Sequence, residues 1–104
     1  MSLIADLDTA GRWQSEGKRV AAATVIDVRG TAPRPPGTRM LISSAGEVVG
    51  SVSGGCVEND VITVAAEVLS TGVGRVVTYG ISDEEAFGVG LACGGTIRVL
   101  VEPW

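Results

Sequence analysis

The segment from residue 19 to 28 constrains the fold most, because it is apolar on both of the faces that an extended chain would present. A strand with this pattern is typically central in a sheet and covered on both sides. The sequence therefore predicts a sheet with helices packed on it. The residues that would share one face of this strand are Val20, Ala22, Thr24, Ile26 and Val28.

Apolar periodicity predicts the other elements of the chain. Helices are expected at residues 3–16, where Leu3, Leu7, Ala10 and Trp13 have helical spacing, and at 56–70, which Gly72 would end. Further strands are predicted at 38–43, 47–51, 75–79 and 96–101. We expect one α/β or α+β domain over residues 1–104, with two layers, about five strands and two main helices. A mixed sheet is predicted, because the pattern contains both a hairpin and a helical crossover.

Composition argues against several classes of function. The 104 residues carry a net charge of −4 and no basic run, whereas a protein that binds nucleic acid needs a basic excess. No stretch approaches the roughly 20 apolar residues of a membrane span, and the first residues lack the features of a signal peptide. We therefore expect a soluble, cytoplasmic protein with no membrane partner. The chain has no His, which excludes a Cys/His zinc site built from one chain.

The first candidate site is Ser53-Gly54-Gly55-Cys56, which lies between a predicted strand and a predicted helix. Such a turn exposes free backbone N–H groups at the positive end of the helix dipole, where they suit a phosphate. The same position lowers the pKa of a thiol, so Cys56 is expected to be nucleophilic or metal-binding. Glu58 is a candidate proton acceptor beside it. The alternative is a tight turn around a small buried residue.

The second candidate site is the glycine-rich segment 88–95, which contains Cys93. Four glycines in eight residues are costly in backbone entropy, which indicates close approach to a ligand or to the other glycine turn. The alternative is that Cys93 is a small core residue. Because Cys93-Gly94-Gly95-Thr96 nearly mirrors Ser53-Gly54-Gly55-Cys56, we expect both cysteines near one another at one end of the sheet.

The third candidate site is a proline-rich loop at residues 30–37, which cannot form regular structure. Arg29, Arg34 and Arg39 lie within eleven residues here and form the one local positive feature of an acidic chain. Arginine binds phosphate or carboxylate through two parallel hydrogen bonds. Arg34, between two prolines, is favoured for such a role, and its loop is expected close to the cysteines. Arg29 is expected to be solvated.

These segments resemble the N-terminal domain of the xanthine dehydrogenase accessory-factor (XdhC/CoxI) family. The resemblance implies an accessory protein, more than a classical enzyme, that binds the molybdenum cofactor (molybdopterin). Such a chaperone assists cofactor sulfuration and insertion into molybdenum hydroxylases such as xanthine dehydrogenase or CO dehydrogenase. The runs that carry the resemblance are 30–40, 50–58, 79–83, 88–97 and 101–103.

Partners follow from the same resemblance. It implies a molybdenum hydroxylase apoenzyme as recipient and a cysteine desulfurase as sulfur donor. Many members continue into a Rossmann domain, whereas this chain ends at Trp104. We therefore expect no Rossmann domain and no NAD binding here, and a separate Rossmann-domain subunit is compatible with the resemblance. A homo-oligomer is left open.

The resemblance places cysteines at the cofactor, and the matching positions are Cys56 and Cys93. Both are candidates for the reactive role, and Cys56 is the candidate molybdenum ligand. Two other functions remain open: a sulfur-transfer or redox protein that uses both thiols, and a non-catalytic module that docks a partner subunit. The candidate cofactor-binding residues are Arg34, Arg39, Ser53, Gly54, Gly55, Cys56, Glu58, Cys93, Gly94 and Gly95.

Overall fold

Two helices and five strands form the parts of the chain that the computed structural model describes, which are residues 3–30, 34–55, 57–80 and 95–104. The class is α+β, as predicted. None of the helices in these ranges is long and apolar enough to span a membrane. The elements in chain order are α1 (Leu3–Ser15), β1 (Val20–Arg29), β2 (Arg39–Ser43), β3 (Val48–Gly50), α2 (Glu58–Thr71), β4 (Arg75–Tyr79) and β5 (Thr96–Pro103).

The five strands form one sheet in the order β3-β2-β1-β5-β4. Strand β1 is therefore central, as its two apolar faces predict. All four pairings are antiparallel, so the expectation of a mixed sheet is wrong. The reason is that α2 connects the edge strand β3 to the opposite edge strand β4. The two strands joined by this crossover do not pair, and the crossover creates no parallel neighbours.

The main core lies between α2 and one face of the sheet. Val61, Val68 and Leu69 of α2 pack against small and β-branched residues of β1 and β5. Alanines at 21 and 23 keep the surface of β1 shallow, which gives the helix room to lie close to the strand. This core accounts for the two predicted layers. Helix α1 adds a smaller layer on the other face, where Trp13 and Ala10 meet Leu41 of β2.

Helix α1 buries a different stripe from the one that its apolar residues predict. Leu3 and Leu7 are 55% and 52% exposed, whereas Asp6 is 1% exposed. The cause is an ion pair between the Asp6 carboxylate and the Arg39 guanidinium of β2, with Nε 2.8 Å from Oδ2. The Arg39 guanidinium also lies 6.0 Å from the centre of the Trp104 ring. The ion pair therefore sets how α1 is rotated on the sheet.

Candidate functional site

One end of the sheet collects the three segments that the sequence singles out. Strand β1 ends here and leads into the proline-rich loop, and β3 ends here and leads into the Ser-Gly-Gly turn. Residues 81–94 connect the end of β4 to the start of β5, and the register pairs Tyr79 with Ile97 and Arg29 with Thr96. We call this the loop end of the sheet.

Two backbone contacts connect these segments at the loop end. A Cβ atom built on Gly30 would lie 3.6 Å from the Gly95 Cα, so the start of the proline-rich loop runs beside the end of the second glycine segment. Gly30 has a φ of 71°, which disfavours other residue types. In addition, the Thr96 hydroxyl donates to the Gly80 carbonyl over 3.2 Å. The residues that flank 81–94 on either side are thus held together.

An open cavity of about 450 Å³ lies between the proline-rich loop and the end of β3. Arg34, Pro35 and Thr38 form one side of it. Gly50 and Ser51, which lead into the Ser-Gly-Gly turn, form the other. The structure therefore brings Arg34 and the beginning of the turn to one surface. Arg29 instead lies outside, 81% exposed and 3.3 Å from an Asp27 oxygen.

The Glu58 carboxylate fills the turn that precedes α2. Its Oε2 atom accepts hydrogen bonds from the Ser51 hydroxyl at 2.7 Å and from the N–H groups of Val52 and Ser53, both at 2.9 Å. Its Oε1 atom accepts from the Ser53 hydroxyl at 2.5 Å, from the Gly55 N–H at 2.9 Å and from the Val57 N–H at 3.3 Å. One side chain thus satisfies six donors.

The backbone of the turn is shaped for this arrangement. Gly54 and Gly55 have φ values of 73° and 114°, which only glycine adopts without strain. The Gly54 N–H donates to the Ser51 hydroxyl at 2.8 Å. The amide donors that the sequence predicts to be free for a ligand are therefore occupied by groups of the chain itself. This corrects the expected chemistry of the turn, while cofactor binding by its residues remains a prediction.

The Glu58 carboxylate is ionised over most of the pH range. Partial burial raises its pKa, but the hydrogen bonds from Ser51, Ser53 and Val52 outweigh burial and lower the pKa to about 2. A carboxylate with this pKa is a weak base at neutral pH. It is therefore poorly suited to the role of proton acceptor beside Cys56 that the sequence suggested.

Tyr79 is a residue of the loop end that the sequence patterns did not identify. Its hydroxyl donates to an Asp60 oxygen over 2.6 Å, which connects the end of β4 to the first turn of α2. Burial and this hydrogen bond both raise the pKa of Tyr79. Its position as the last residue of a predicted strand carries no chemical signal, since its partner is 19 positions away. The contact positions α2 relative to the segment that begins at residue 81.

The remaining predicted residues divide into two groups. Arg39 belongs to the ion pair on the face covered by α1, whereas the turn leads into α2 on the other face. Cys56, Cys93 and Gly94 lie outside the described residues. The proximity of the two sulfur atoms therefore stays a prediction. The neighbours of the cysteine positions that are described, Gly55, Val57 and Gly95, lie in segments at the loop end.

The pKa of Glu58 predicts how stability depends on pH. A carboxyl group whose pKa is lowered by folding stabilises the folded state above its unfolded pKa, near 4.3. That stability is lost as the pH falls through the folded value of about 2. We expect Glu58→Gln to cost about 1–2 kcal/mol above pH ~5, less than the full shift implies because water reaches the carboxylate. The difference should shrink between pH ~4.5 and ~2. Urea unfolding across this range measures it.

The control for this pH series is Glu67→Gln. Glu67 lies on the exposed surface of the same helix, where it pairs with Arg75. An exposed pair of this kind contributes little to stability. The unfolding curve of Glu67→Gln should follow that of the wild type at every pH. A Glu58→Gln curve that also runs parallel to the wild type would show that the turn does not depend on the charge.

Comparison with known proteins identifies the family. Residues 13–80 match the model of the XdhC and CoxI family, and this range contains the proline-rich loop and the Ser-Gly-Gly turn. The chain belongs to the XdhC and CoxI family. The match ends at Gly80, so the segment that contains Cys93 lies beyond it.

Relatives within this family carry names that concern molybdenum enzymes. The chain is 38% identical over 83 residues to "Molybdenum cofactor insertion chaperone PaoD" of Escherichia coli (strain K12), which covers 80% of the chain and 26% of PaoD. It is 34% identical over 82 residues to a protein of Bacillus subtilis (strain 168) named as a probable xanthine dehydrogenase subunit, covering 77% and 25%. The chain thus spans about a quarter of the length of these two proteins.

A solved structure has the same fold. The crystal structure described as a xanthine dehydrogenase from Bacillus halodurans superposes with a TM-score of 0.77 and 36% sequence identity. The similarity covers 94% of this chain and 30% of that one. The XdhC/CoxI fold described here therefore corresponds to one part of a longer relative.

Proposed function

We propose that this XdhC/CoxI domain binds the molybdenum cofactor at the loop end of its sheet and delivers it to a molybdenum hydroxylase apoenzyme. Family membership supports the proposal, together with a 38% identical relative named as a molybdenum cofactor insertion chaperone. The relative named as a xanthine dehydrogenase subunit supports a recipient of the same enzyme class. The cofactor is cargo in this proposal and is passed on unchanged, apart from the exchange of an oxo ligand for sulfur.

The observation that carries the proposal is the convergence of three segments at the loop end. A molybdenum cofactor presents a phosphate, a flat pterin with hydrogen-bonding edges, and a metal with soft ligands. The cavity offers the Arg34 guanidinium and the hydroxyls of Thr38 and Ser51, which suit the phosphate. Glycine backbone at Gly30 and Gly95 lets a flat ring approach main-chain groups closely.

The thiols of Cys56 and Cys93 complete the proposed site. Thiolates bind soft metals and accept or donate sulfur. We assign Cys56 to the molybdenum, or to the sulfur that it acquires, with Cys93 in support. Sulfuration would then use a cysteine desulfurase as donor. The remaining proposed contacts to the cofactor come from Gly54, Gly55 and Gly94.

The experiment mixes the purified domain with free molybdenum cofactor and measures the molybdenum that elutes with the protein. Wild-type protein should retain the metal, and Cys56→Ser with Cys93→Ser should reduce retention by at least about tenfold, because hydroxyls are poor ligands for a soft metal. Arg34→Ala should weaken binding by about 1–3 kcal/mol, the range for loss of a charged hydrogen bond.

Arg29→Ala is the matched control for Arg34→Ala. Arg29 is exposed at the start of the same loop, so its loss should leave retention within about twofold of the wild type, as for an ordinary surface charge. A double cysteine variant that keeps the cofactor and still activates an apoenzyme would refute the chaperone mechanism in favour of a docking module. A persulfide on either cysteine, with no retained molybdenum, would instead identify a sulfur-transfer protein.

A further inference from the structure

The Ser-Gly-Gly turn already contains an anion, and the chain supplies it. A strand that leads through glycines into a helix is the arrangement that binds phosphate in many proteins. Here the donors that would face such a phosphate, the N–H groups of Ser53, Gly55 and Val57, all point to the Glu58 carboxylate. The hydroxyls of Ser51 and Ser53 donate to the same group. The carboxylate thus takes the position of a ligand anion.

An external phosphate competes poorly for these donors. Glu58 is joined to Gly55 through only three residue steps, so its carboxylate has a high effective concentration at the turn. A phosphate that approached would also meet the negative charge of the carboxylate in a partly buried position, where repulsion is stronger than in bulk water. The occupied turn therefore excludes a second anion.

Ser51 connects the occupied turn to the cavity. Its hydroxyl donates to Glu58 and accepts from the Gly54 N–H, and the same residue lines the cavity opposite Arg34. Loss of the carboxylate would remove the acceptor of Ser51 and release the donors that fix the backbone of the turn. The wall of the cavity on this side thus depends on a residue that does not itself line it.

We infer that Glu58 is a positioning residue for cofactor binding, whose carboxylate acts as the internal anion of the turn and directs the phosphate of the cofactor to the Arg34 side of the cavity. The cofactor in this inference rests on the proposed function. The exclusion of anions from the turn does not, and it is testable without any cofactor.

The first arm of the test follows backbone amide signals by NMR during titration with inorganic phosphate, and separately with acetate. The amides of Ser53, Gly55 and Val57 should not respond in the wild type. In Glu58→Ala they should shift with saturation, because the emptied turn accepts the added anion. Glu67→Ala, from the exposed surface of α2, is the matched control and should behave as the wild type. Saturable shifts in the wild type would overturn the inference, and so would an unresponsive, folded Glu58→Ala.

The second arm measures molybdenum retention. Glu58→Ala should lose at least about tenfold in retention, the effect of removing a charged hydrogen-bond partner. Added acetate should restore much of it, which loss of a purely structural residue would not allow. Full retention by Glu58→Ala would contradict the positioning role. If the wild type itself retains no cofactor, the proposed function fails, and the first arm still decides whether Glu58 is the internal anion.

Glu58→Gln serves where the alanine variant does not fold. It keeps the shape of the side chain but replaces one acceptor oxygen with a donor, which faces the N–H groups of the turn. It should lose retention as Glu58→Ala does, with no recovery in acetate because the side chain still fills the turn. Retention equal to that of Glu67→Gln would overturn the inference.

Discussion

Arg39→Ala should lower the free energy of unfolding by about 3–5 kcal/mol, the usual cost of leaving a buried charge without its partner. The Arg39 guanidinium contacts the Asp6 carboxylate at 2.8 Å, and Asp6 is 1% exposed. Water cannot replace the guanidinium without opening the contact between α1 and β2. The guanidinium also stacks near the Trp104 ring, so the variant loses that contact as well. Urea unfolding at neutral pH measures the loss.

Two further variants separate burial of the charge from simple truncation. Arg75→Ala removes an arginine from an exposed pair with Glu67 and should cost no more than about 1 kcal/mol. The double variant Asp6→Leu with Arg39→Met replaces both charges with apolar groups and should recover most of the loss. An Arg39→Ala variant as stable as Arg75→Ala would show that solvent reaches Asp6 and that the pair does not set the rotation of α1.

Trp13→Ala should cost about 3–5 kcal/mol, the range for truncating a large aromatic residue in a core. Trp13 is 2% exposed and is the largest side chain in the cluster between α1 and the sheet. The main core on the other face contains no residue of α1, so it should persist. Hydrogen exchange should therefore show faster exchange of α1 amides, with less effect on β1 and β5.

Leu7→Ala on the same helix is the control for Trp13→Ala. The apolar spacing of the sequence places both residues on one stripe, whereas the structure leaves Leu7 52% exposed. Its truncation should change stability by less than about 0.5 kcal/mol, as for a surface substitution. Equal losses in the two variants would mean that α1 packs through the stripe predicted from its apolar residues and not through the observed one.

The organisation of the sheet shows how far sequence patterns reach. Strand β1 could be placed at the centre because its residues must be covered on both faces wherever the strand lies. The end of α2 was predictable because Gly72 takes a φ of 75°, which glycine favours. The direction of the pairings was not predictable. It depends on which edge of the sheet receives the strand after α2, and no local pattern records that choice.

The candidate site divides in the same way. The sequence by itself determined the family, the stiff proline-rich loop and the glycines of the turn, since these depend on residue types with restricted or unusual backbone freedom. Only the tertiary structure decided which groups the charged side chains contact. Arg39 could bind a phosphate or a carboxylate by its chemistry, and Asp6, 33 positions away, supplies the carboxylate. Glu58 turns back into its own turn because six donors converge there, and a carboxylate binds where unsatisfied donors are most numerous.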